Sequence, residues 1–312
     1  MLKYVLKRLG YILVTLWVIV TCTFFMMKNL PGTPFDAERF SIMTPQQQER
    51  VLEMYGLNDS LPMQYVKYIK NMLKGDLGTS FTYVNQDVSK VITGRLGPSA
   101  LIGIQAVLIG LAIGLILGIL AAWKHNSGID YFTMILAVLG VSVPNFVAAA
   151  LLQYYIGLKW GALPVGFWTG WNCSVLPSIA LSFSATAMVA RFMRTEMLDV
   201  LDQDYIVTAR AKGLSQMKVL MRHAVRNSIL PVVTILGPIV VNLMTGSLAV
   251  ENIFSIPGIG SLFVDCIKAN DYPVIMGITI LYAAFYMLIV LLVDLAYSLI
   301  DPRIRLAKGK ES

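Results

Sequence analysis

SALIGIQAVLIGLAIGLILGILAAW, which spans residues 99–123, contains no charged side chain. A helix of about 20 residues crosses the roughly 30 Å of hydrocarbon in a bilayer, so this segment is long enough to do so. Within it, Gly110, Gly114 and Gly118 recur every four residues and share one helix face, where a neighbouring helix can approach at backbone distance. The segment therefore predicts a transmembrane helix packed tightly against a second helix.

The composition extends this prediction to the whole chain. Of its 312 residues, 56% are hydrophobic and only 14% are charged, which is unusual for a soluble domain. We predict an all-α polytopic membrane protein with six transmembrane helices. The other five predicted spans are Leu9–Met27, Tyr131–Leu158, a helix that opens at Leu176-Pro177 within the uncharged stretch 161–190, Asn227–Val250, and Tyr272–Val293.

The positions of Lys and Arg predict the orientation of the chain. With the N-terminus inside, the short outer loops hold only Lys159 and Lys268, whereas the cytoplasmic segments are rich in basic residues. Both termini are then cytoplasmic. The net charge of +7 follows from this topology, because the basic residues flank apolar runs, and it does not indicate nucleic-acid binding.

Residues 31–98 are predicted to form a small helical domain outside the membrane. Thr44-Pro45-Gln46-Gln47 supplies an N-cap, a first-turn proline and a capping-box glutamine, while Pro62 opens a second helix that Gly75 ends. The predicted organisation is a transmembrane helix in 1–30, this outer domain in 31–98, a five-helix core in 99–300 and a cytoplasmic tail in 301–312. Pro144 lies in the middle of the third span, and Pro231 and Pro238 lie in the fifth, so both spans should bend.

The cytoplasmic loop 191–227 is predicted to contain a helix, a glycine and a second helix. Asp204 or Asp202 would cap the first helix, Gly213 would end it, and Ser215 would cap the second. On the second helix Met217, Leu220, Met221 and Ala224 would share one apolar face. Such a projection fits either a handle for a soluble partner or a basic hairpin on anionic lipid headgroups, and the pattern alone leaves both open.

The sequence DYIVTARAKGLS at residues 204–215 resembles the E-A-A loop of binding-protein-dependent ABC importer permeases, most closely their oligopeptide/dipeptide branch. The general E-A-A-x-x-x-G pattern matches only at Ala209 and Gly213, but T-A-R-A-K-G-L-S with a longer loop is similar to the peptide branch. Further segments agree with that branch, and the N-terminal span with a large outer domain resembles its B-type subunit. These segments are GDLGTS at 75–80, FSIPGIG at 254–260, DYP at 271–273 and DPR at 301–303.

This resemblance implies a fold, a function and a set of partners. The fold would be a five-helix importer permease (MetI-like) core with an added N-terminal helix, in a bacterial cell membrane. The chain would form half of a peptide pore and pair with a second, paralogous permease subunit, two ATP-binding-cassette ATPase subunits and an extracytoplasmic peptide-binding protein. It would couple to the ATPases through residues 204–231. The predicted coupling residues are Asp204, Thr208, Ala209, Arg210, Ala211, Lys212, Gly213, Leu214 and Ser215.

No enzymatic activity, cofactor or metal site is predicted for the chain. The phosphate-binding pattern G-x-x-x-x-G-K-[ST] does not occur, so a separate chain would hydrolyse ATP. The three cysteines lack metal-ligand spacing, although Cys173 and Cys266 both fall in predicted outer loops, where a disulfide is permitted. The alternative function is a secondary transporter or channel without an ATPase partner. The predicted translocation-path residues are Ser142, Asn145, Thr234, Asn242 and Thr245.

Asp294 is predicted to be ionised and paired near the cytoplasmic interface. An unpaired carboxylate in hydrocarbon is costly, and Arg191 or Arg194 ends a neighbouring span at similar depth; Arg191 is the preferred partner. The expected result is a basic group within about 6 Å of the Asp294 carboxylate in an experimental structure of the membrane-embedded protein. A carboxylate without such a neighbour would refute the pairing.

Overall fold

The computed structural model describes residues 2–29, 40, 42–83, 86–244 and 248–300, without the side chains of residues 2–6, 54, 294 and 296–300. The predictions for Thr245, for the Asp294 carboxylate and for the tail 301–312 fall outside this part of the chain. The helices are α1 Leu2–Lys28, α2 Pro45–Met54, α3 Leu61–Met72, α4 Val88–Trp123, α5 Gly128–Ser142, α6 Asn145–Leu152, α7 Val175–Leu201, α8 Asp204–Ala211, α9 Gln216–Lys218, α10 Arg226–Met244, α11 Leu248–Ile253, α12 Ile259–Lys268 and α13 Tyr272–Ile300.

The all-helical membrane architecture is confirmed. Among the described residues, five helical segments are long and apolar enough to cross a bilayer: Lys7–Lys28, Val88–Trp123, Trp171–Leu201, Gln216–Ile253 and Tyr272–Val293. The third predicted span differs, because α5 and the segment Asn145–Lys159 meet at an angle of 101°. Pro144 is the N-cap of α6, and Val143 before it is extended, as is usual for a residue that precedes proline. The predicted bend is thus a full break.

The chain divides into two compact units, and the first comprises Met1–Gly97 and Pro257–Met287. Its core joins the start of α4 to α12 and α13 through Val88, Ile92, Leu262 and Ile275. The Thr44 capping box at the start of α2 is present as predicted. Helix α2 therefore begins where its capping residue indicates, and α3 begins at Leu61, one residue before the predicted Pro62.

The second unit comprises Pro98–Ile256 and Leu288–Ser312, and α7 lies at its centre. Helices α5, α6, α10 and α11 all pack against α7. Leu176, Met193 and Met197 on α7 are almost completely buried. This burial makes α7 the helix on which the rest of the unit is built.

The glycine stripe of α4 packs directly on α7. A Cβ atom built on Gly110 would lie 2.7 Å from the Ala185 Cβ, and one on Gly114 would lie 2.7 Å from the Val189 Cβ. A Cβ on Gly118 would approach the Ala190 carbonyl oxygen to 2.7 Å. These separations are shorter than van der Waals contact, so each position requires glycine. The tight helix pair inferred from the spacing is confirmed.

Gly114→Ala should destabilise the protein by about 1–3 kcal/mol, because the added methyl group overpacks a seam between two helices. The matched control is Gly94→Ala on the same helix, where an added Cβ meets nothing within 4 Å. Thermal unfolding of the purified protein in detergent measures both. Equal unfolding temperatures for the two variants would show that the seam tolerates a side chain.

Candidate functional site

The loop 191–227 contains the short helix α8, and backbone geometry defines both of its ends. The N-cap is Gln203 rather than the predicted Asp202 or Asp204, and Asp204 is the first helical residue. The Asp204 carboxylate therefore interacts favourably with the positive end of the helix dipole and does not act as the N-cap. At the other end Gly213 has φ +78°, as the prediction that it ends the helix requires.

The turn at Gly213 is a Schellman motif. The Gly213 amide donates to the Arg210 carbonyl oxygen at 2.9 Å, and the Leu214 amide donates to the Ala209 carbonyl oxygen at 3.4 Å. These are the two bonds that characterise the motif, and they satisfy carbonyl groups that the helix leaves open. Ser215 occupies the N-cap of α9 as predicted, but its side chain makes no capping bond. The turn after α8 is therefore held by backbone hydrogen bonds.

Helix α8 is anchored to the unit through one side. Ile206 and Ala209 are buried against Val219, in a cluster to which the end of α7 also contributes. The Asn227 side-chain amide donates to the Tyr205 hydroxyl at 2.9 Å, which ties α8 to the start of α10. Through these contacts α8 is attached to the helix that precedes it and to the helix that follows it.

A π-helix over Val219–Val225 changes the face that was predicted for the second helix of the loop. The buried residues are Val219, Leu220 and Ala224, whereas Met217 and Met221 are about half exposed. A π-helix has a wider repeat than an α-helix, so positions spaced for an α-helical face do not stay in line. The predicted apolar face is therefore wrong at Met217 and Met221.

The predicted coupling residues lie together on α8 and the turn after it, and nearly all of them are exposed. Ala209 is the exception, because it belongs to the anchoring side. The Thr208 hydroxyl donates to the Asp204 carbonyl oxygen at 3.0 Å and so remains within the helix. The exposed residues are Asp204, Thr208, Arg210, Ala211, Lys212, Gly213, Leu214 and Ser215.

The break between α5 and α6 borders a cavity of about 970 Å³. Its walls come from α4, α5, the segment after the break, and α7, and are almost wholly apolar. Two predicted translocation-path residues flank the break: Ser142 is exposed and Asn145 is half-buried. Val143 between them lines the cavity, but neither Ser142 nor Asn145 does. Their role in translocation stays a prediction.

Two more of the predicted path residues, Thr234 and Asn242, lie on α10. This helix continues through Pro231 and Pro238, and the Thr234 hydroxyl donates to the Pro231 carbonyl oxygen. Asn242 is exposed, as is Pro238, whereas Gly237 on another face of α10 is buried. The polar face of α10 is thus partly exposed in the single chain. Its role in translocation also stays a prediction.

A charged cluster that the sequence patterns did not indicate joins α5 to α7. The Arg194 guanidinium binds the buried Asp130 carboxylate with both atoms of its fork, Nε to Oδ1 at 2.6 Å and Nη2 to Oδ2 at 2.8 Å. The backbone amide of Asn126 donates to Oδ2 of Asp130 at 3.0 Å, and the His125 Nδ1 lies 3.1 Å from the same oxygen. In the sequence, the signal for such a pair is the Asp130 carboxylate, which directly precedes the span predicted from Tyr131. The sequence prediction names Arg194 only as an alternative partner for Asp294.

Two segments that carried the family resemblance meet in the first unit. The Ser80 hydroxyl, in GDLGTS, donates to the carboxylate of Asp271, in DYP, and the Thr82 amide donates to the same carboxylate at 3.0 Å. Asp271 is completely buried, so these bonds supply the partners that a buried carboxylate needs. The two segments therefore act as one structural element.

The permitted disulfide is not formed, because Cys173 and Cys266 are both free and buried. Burial raises the pKa of the Cys266 thiol to about 12, so the thiol is protonated at neutral pH and is a poor nucleophile. Within the described residues, no group of three His, Cys, Asp or Glu side chains could hold a metal ion.

Comparisons with known proteins agree with these features. Residues 114–306 match the family of binding-protein-dependent transport system inner membrane components, and residues 1–96 match the N-terminal region of such components. The chain is 46% identical over 306 residues to the dipeptide transport system permease protein DppB of Lactococcus lactis, covering 98% of this chain and 100% of that protein. It is 40% identical over 309 residues to the oligopeptide transport system permease protein OppB of Salmonella typhimurium, covering 98% of this chain and 100% of that protein.

Solved structures support the fold alone. An inward-facing MetNI methionine ABC transporter aligns with a TM-score of 0.56 at 13% identity, over 68% of this chain and 97% of that chain. An amino acid ABC transporter aligns with a TM-score of 0.54 at 17% identity, over 67% of this chain and 94% of that chain. The five-helix permease core is thereby confirmed.

Ile206→Ala should loosen α8 from the unit, because removing a completely buried side chain typically costs about 2–5 kcal/mol. We expect faster amide hydrogen exchange across residues 204–211, with little change in α7. The control is the neighbouring exposed residue, in Val207→Ala. Exchange that is as slow in Ile206→Ala as in the control would contradict the anchoring.

Proposed function

Because the chain belongs to the family of binding-protein-dependent transport system inner membrane components, we propose that it forms one half of the translocation pore of an ATP-driven importer of dipeptides or oligopeptides. It is a multi-pass membrane permease with both termini in the cytoplasm. Its relatives are named as dipeptide and oligopeptide permeases, which supports peptides as cargo. The observation that carries the proposal is the exposed, firmly anchored helix α8 in the cytoplasmic loop.

Helix α8 and the turn at Gly213 form the surface that an ATPase subunit would bind. One side is buried against the chain, whereas Arg210 and Lys212 are exposed and positively charged. Small residues at Ala211 and Gly213 allow a partner groove to approach closely, and the basic side chains fit acidic groups within that groove. A rigid helix suits this role better than a slack loop, because it moves as one body when the partner moves.

The coupling pathway follows the covalent and packing connections of α8. It continues from the end of α7 after two intervening residues, Asp202 and Gln203, and it contacts the π-helical segment that leads into α10. Closure of two ATPase subunits on ATP would therefore displace the cytoplasmic ends of two membrane helices together. A displacement of this kind opens one side of the pore and closes the other.

The proposed assembly contains this chain, a second paralogous permease subunit, two ATP-binding-cassette ATPase subunits and an extracytoplasmic peptide-binding protein. The phosphate-binding pattern G-x-x-x-x-G-K-[ST] does not occur in this sequence, which supports the proposal that a separate chain hydrolyses ATP. Polar residues on the exposed face of α10 and at the break after α5 would face the second permease or the peptide. They include Ser142, Asn145, Thr234 and Asn242.

Purification of the chain with its candidate partners tests the proposed function. We expect ATPase subunits to co-purify in stoichiometric amounts, and ATP hydrolysis in proteoliposomes to rise when peptide and binding protein are added outside. Uptake of labelled peptide should depend on ATP. A chain that transports peptide without any ATPase subunit would instead be a secondary transporter or channel.

Gly213→Leu should weaken ATPase docking and uncouple transport while the protein remains inserted. The space around Gly213 is open, so the damage comes from the backbone, where a left-handed conformation costs a side-chain-bearing residue about 1–2 kcal/mol. Gly213→Asn should be milder, since Asn adopts this conformation more readily. The measurements are complex assembly and peptide uptake.

Two control variants separate coupling from general strain. Gly161→Leu imposes the same type of strain at φ +61° in another loop, and Lys70→Ala removes an exposed charge. Both should retain ATPase binding. Normal uptake by Gly213→Leu would favour the alternative in which the loop lies on lipid headgroups.

A further inference from the structure

The Asp130–Arg194 pair occupies a position that connects the cytoplasmic loop to the broken span. Arg194 lies about two helical turns, or about 10 Å, before the end of α7, and α8 begins shortly after that end. Asp130 is in the first turn of α5, whose other end is the break at Val143 and Pro144. The pair therefore lies between the proposed docking helix and the main discontinuity of the membrane core.

The contacts make this connection stiff. The Asp130 side chain is only 2% exposed, and its carboxylate accepts both arms of the Arg194 fork together with the Asn126 amide. A two-point guanidinium–carboxylate bond fixes orientation as well as distance. The His125 ring is a further neighbour, with its Nδ1 3.2 Å from the Arg194 Nη2. The loop after α4 is thereby included in the same cluster.

A second contact fixes the opposite end of α5 to α7. A Cβ atom built on Gly140 would lie 3.0 Å from the Ala187 Cβ and 3.0 Å from the Phe183 carbonyl oxygen. Helices α5 and α7 thus run antiparallel and touch at both ends of α5. Two helices fixed at two separated points move as one rigid body, so a movement of this pair relative to the segment after α5 must be absorbed outside the pair. The helical hydrogen bonding of α5 ends at the adjacent break: the Val143 amide donates to the Leu139 carbonyl oxygen at 2.9 Å, and Pro144 has no amide hydrogen to donate. The junction between Val143 and Pro144 is therefore where such a movement can be absorbed.

We propose that the Asp130–Arg194 pair is a mechanical clamp that delivers movement of the cytoplasmic loop to the proline break, and thereby to the apolar cavity beside it. Asp130 and Arg194 are positioning residues that act through the helices they join. The inference rests on the proposed function, since it assumes that an ATPase moves α8. Its distinguishing consequence is that loss of the clamp separates ATP hydrolysis from transport without separating the subunits.

Arg194→Lys tests the clamp, because lysine keeps the charge beside Asp130 but lacks the fork that fixes orientation. In proteoliposomes containing the complete transporter, we expect normal assembly and ATP hydrolysis, with peptide taken up per ATP lower by about threefold or more. The control is Lys124→Ala, which removes a cation from the same cytoplasmic turn without touching the Asp130 carboxylate. Should Arg194→Lys not accumulate in the membrane, the double variant Asp130→Asn with Arg194→Gln replaces it, because it leaves no buried charge unpaired.

Spin labels supply a readout that a purely structural role would not change. Val207 on α8 and Val141 near the break are both exposed and accept a label in separate cysteine variants, in which the exposed native cysteine is removed by Cys22→Ser. In the wild-type background, ATP should alter the spectrum at both positions. In the Arg194→Lys background, or in the double variant, the response at Val207 should persist and that at Val141 should be lost.

The outcomes separate the clamp from the proposed function. Wild-type uptake per ATP in the clamp variant, or a retained response at Val141, would overturn the clamp and leave the proposed function intact. Loss of uptake only in proportion to loss of assembly would also overturn it, because the pair would then serve stability alone. A wild-type chain that binds no ATPase subunit would overturn both.

Discussion

The close approach of α4 and α7 is the constraint on which the rest of the second unit depends. In hydrocarbon, helices gain little from excluding water from each other, so association relies on tight packing between small residues. The Gly110, Gly114 and Gly118 stripe brings α4 to backbone distance from Ala185 and Val189. With that seam formed, α7 is buried deeply enough to serve as the support for α5, α6, α10 and α11.

Buried carboxylates provide the second level of specificity. Asp130 binds Arg194, Asp271 binds Ser80 and the Thr82 amide, and Glu251 accepts a bond from Ser99 at 2.7 Å. Each carboxylate is costly in an apolar interior unless it is bonded, so each one fixes which segments must meet. Packing brings the helices together, and these pairs select their register.

The same logic links fold and function. In the proposed mechanism, movement of α8 must reach the membrane helices, and α8 is attached both to the end of α7 and to the start of α10. The segment proposed to respond is the broken span, where Pro144 lacks the amide that a helical hydrogen bond needs and an apolar cavity lies beside it. Stiff connections that lead to a weaker junction would convert a displacement of the loop into a local rearrangement there.

The sequence by itself determined five of the six predicted spans, the capping box of α2, the glycine seam and the left-handed turn at Gly213, because each depends on residues adjacent in the chain or on one helix face. The tertiary structure alone decided the 101° break, the π-helical register that exposes Met217 and Met221, and the pairing of Asp130 with Arg194. A proline marks a weak point, but its angle is set by the helices packed around it. Likewise, a buried charge requires a partner, and which partner it finds depends on the segments that folding brings within reach.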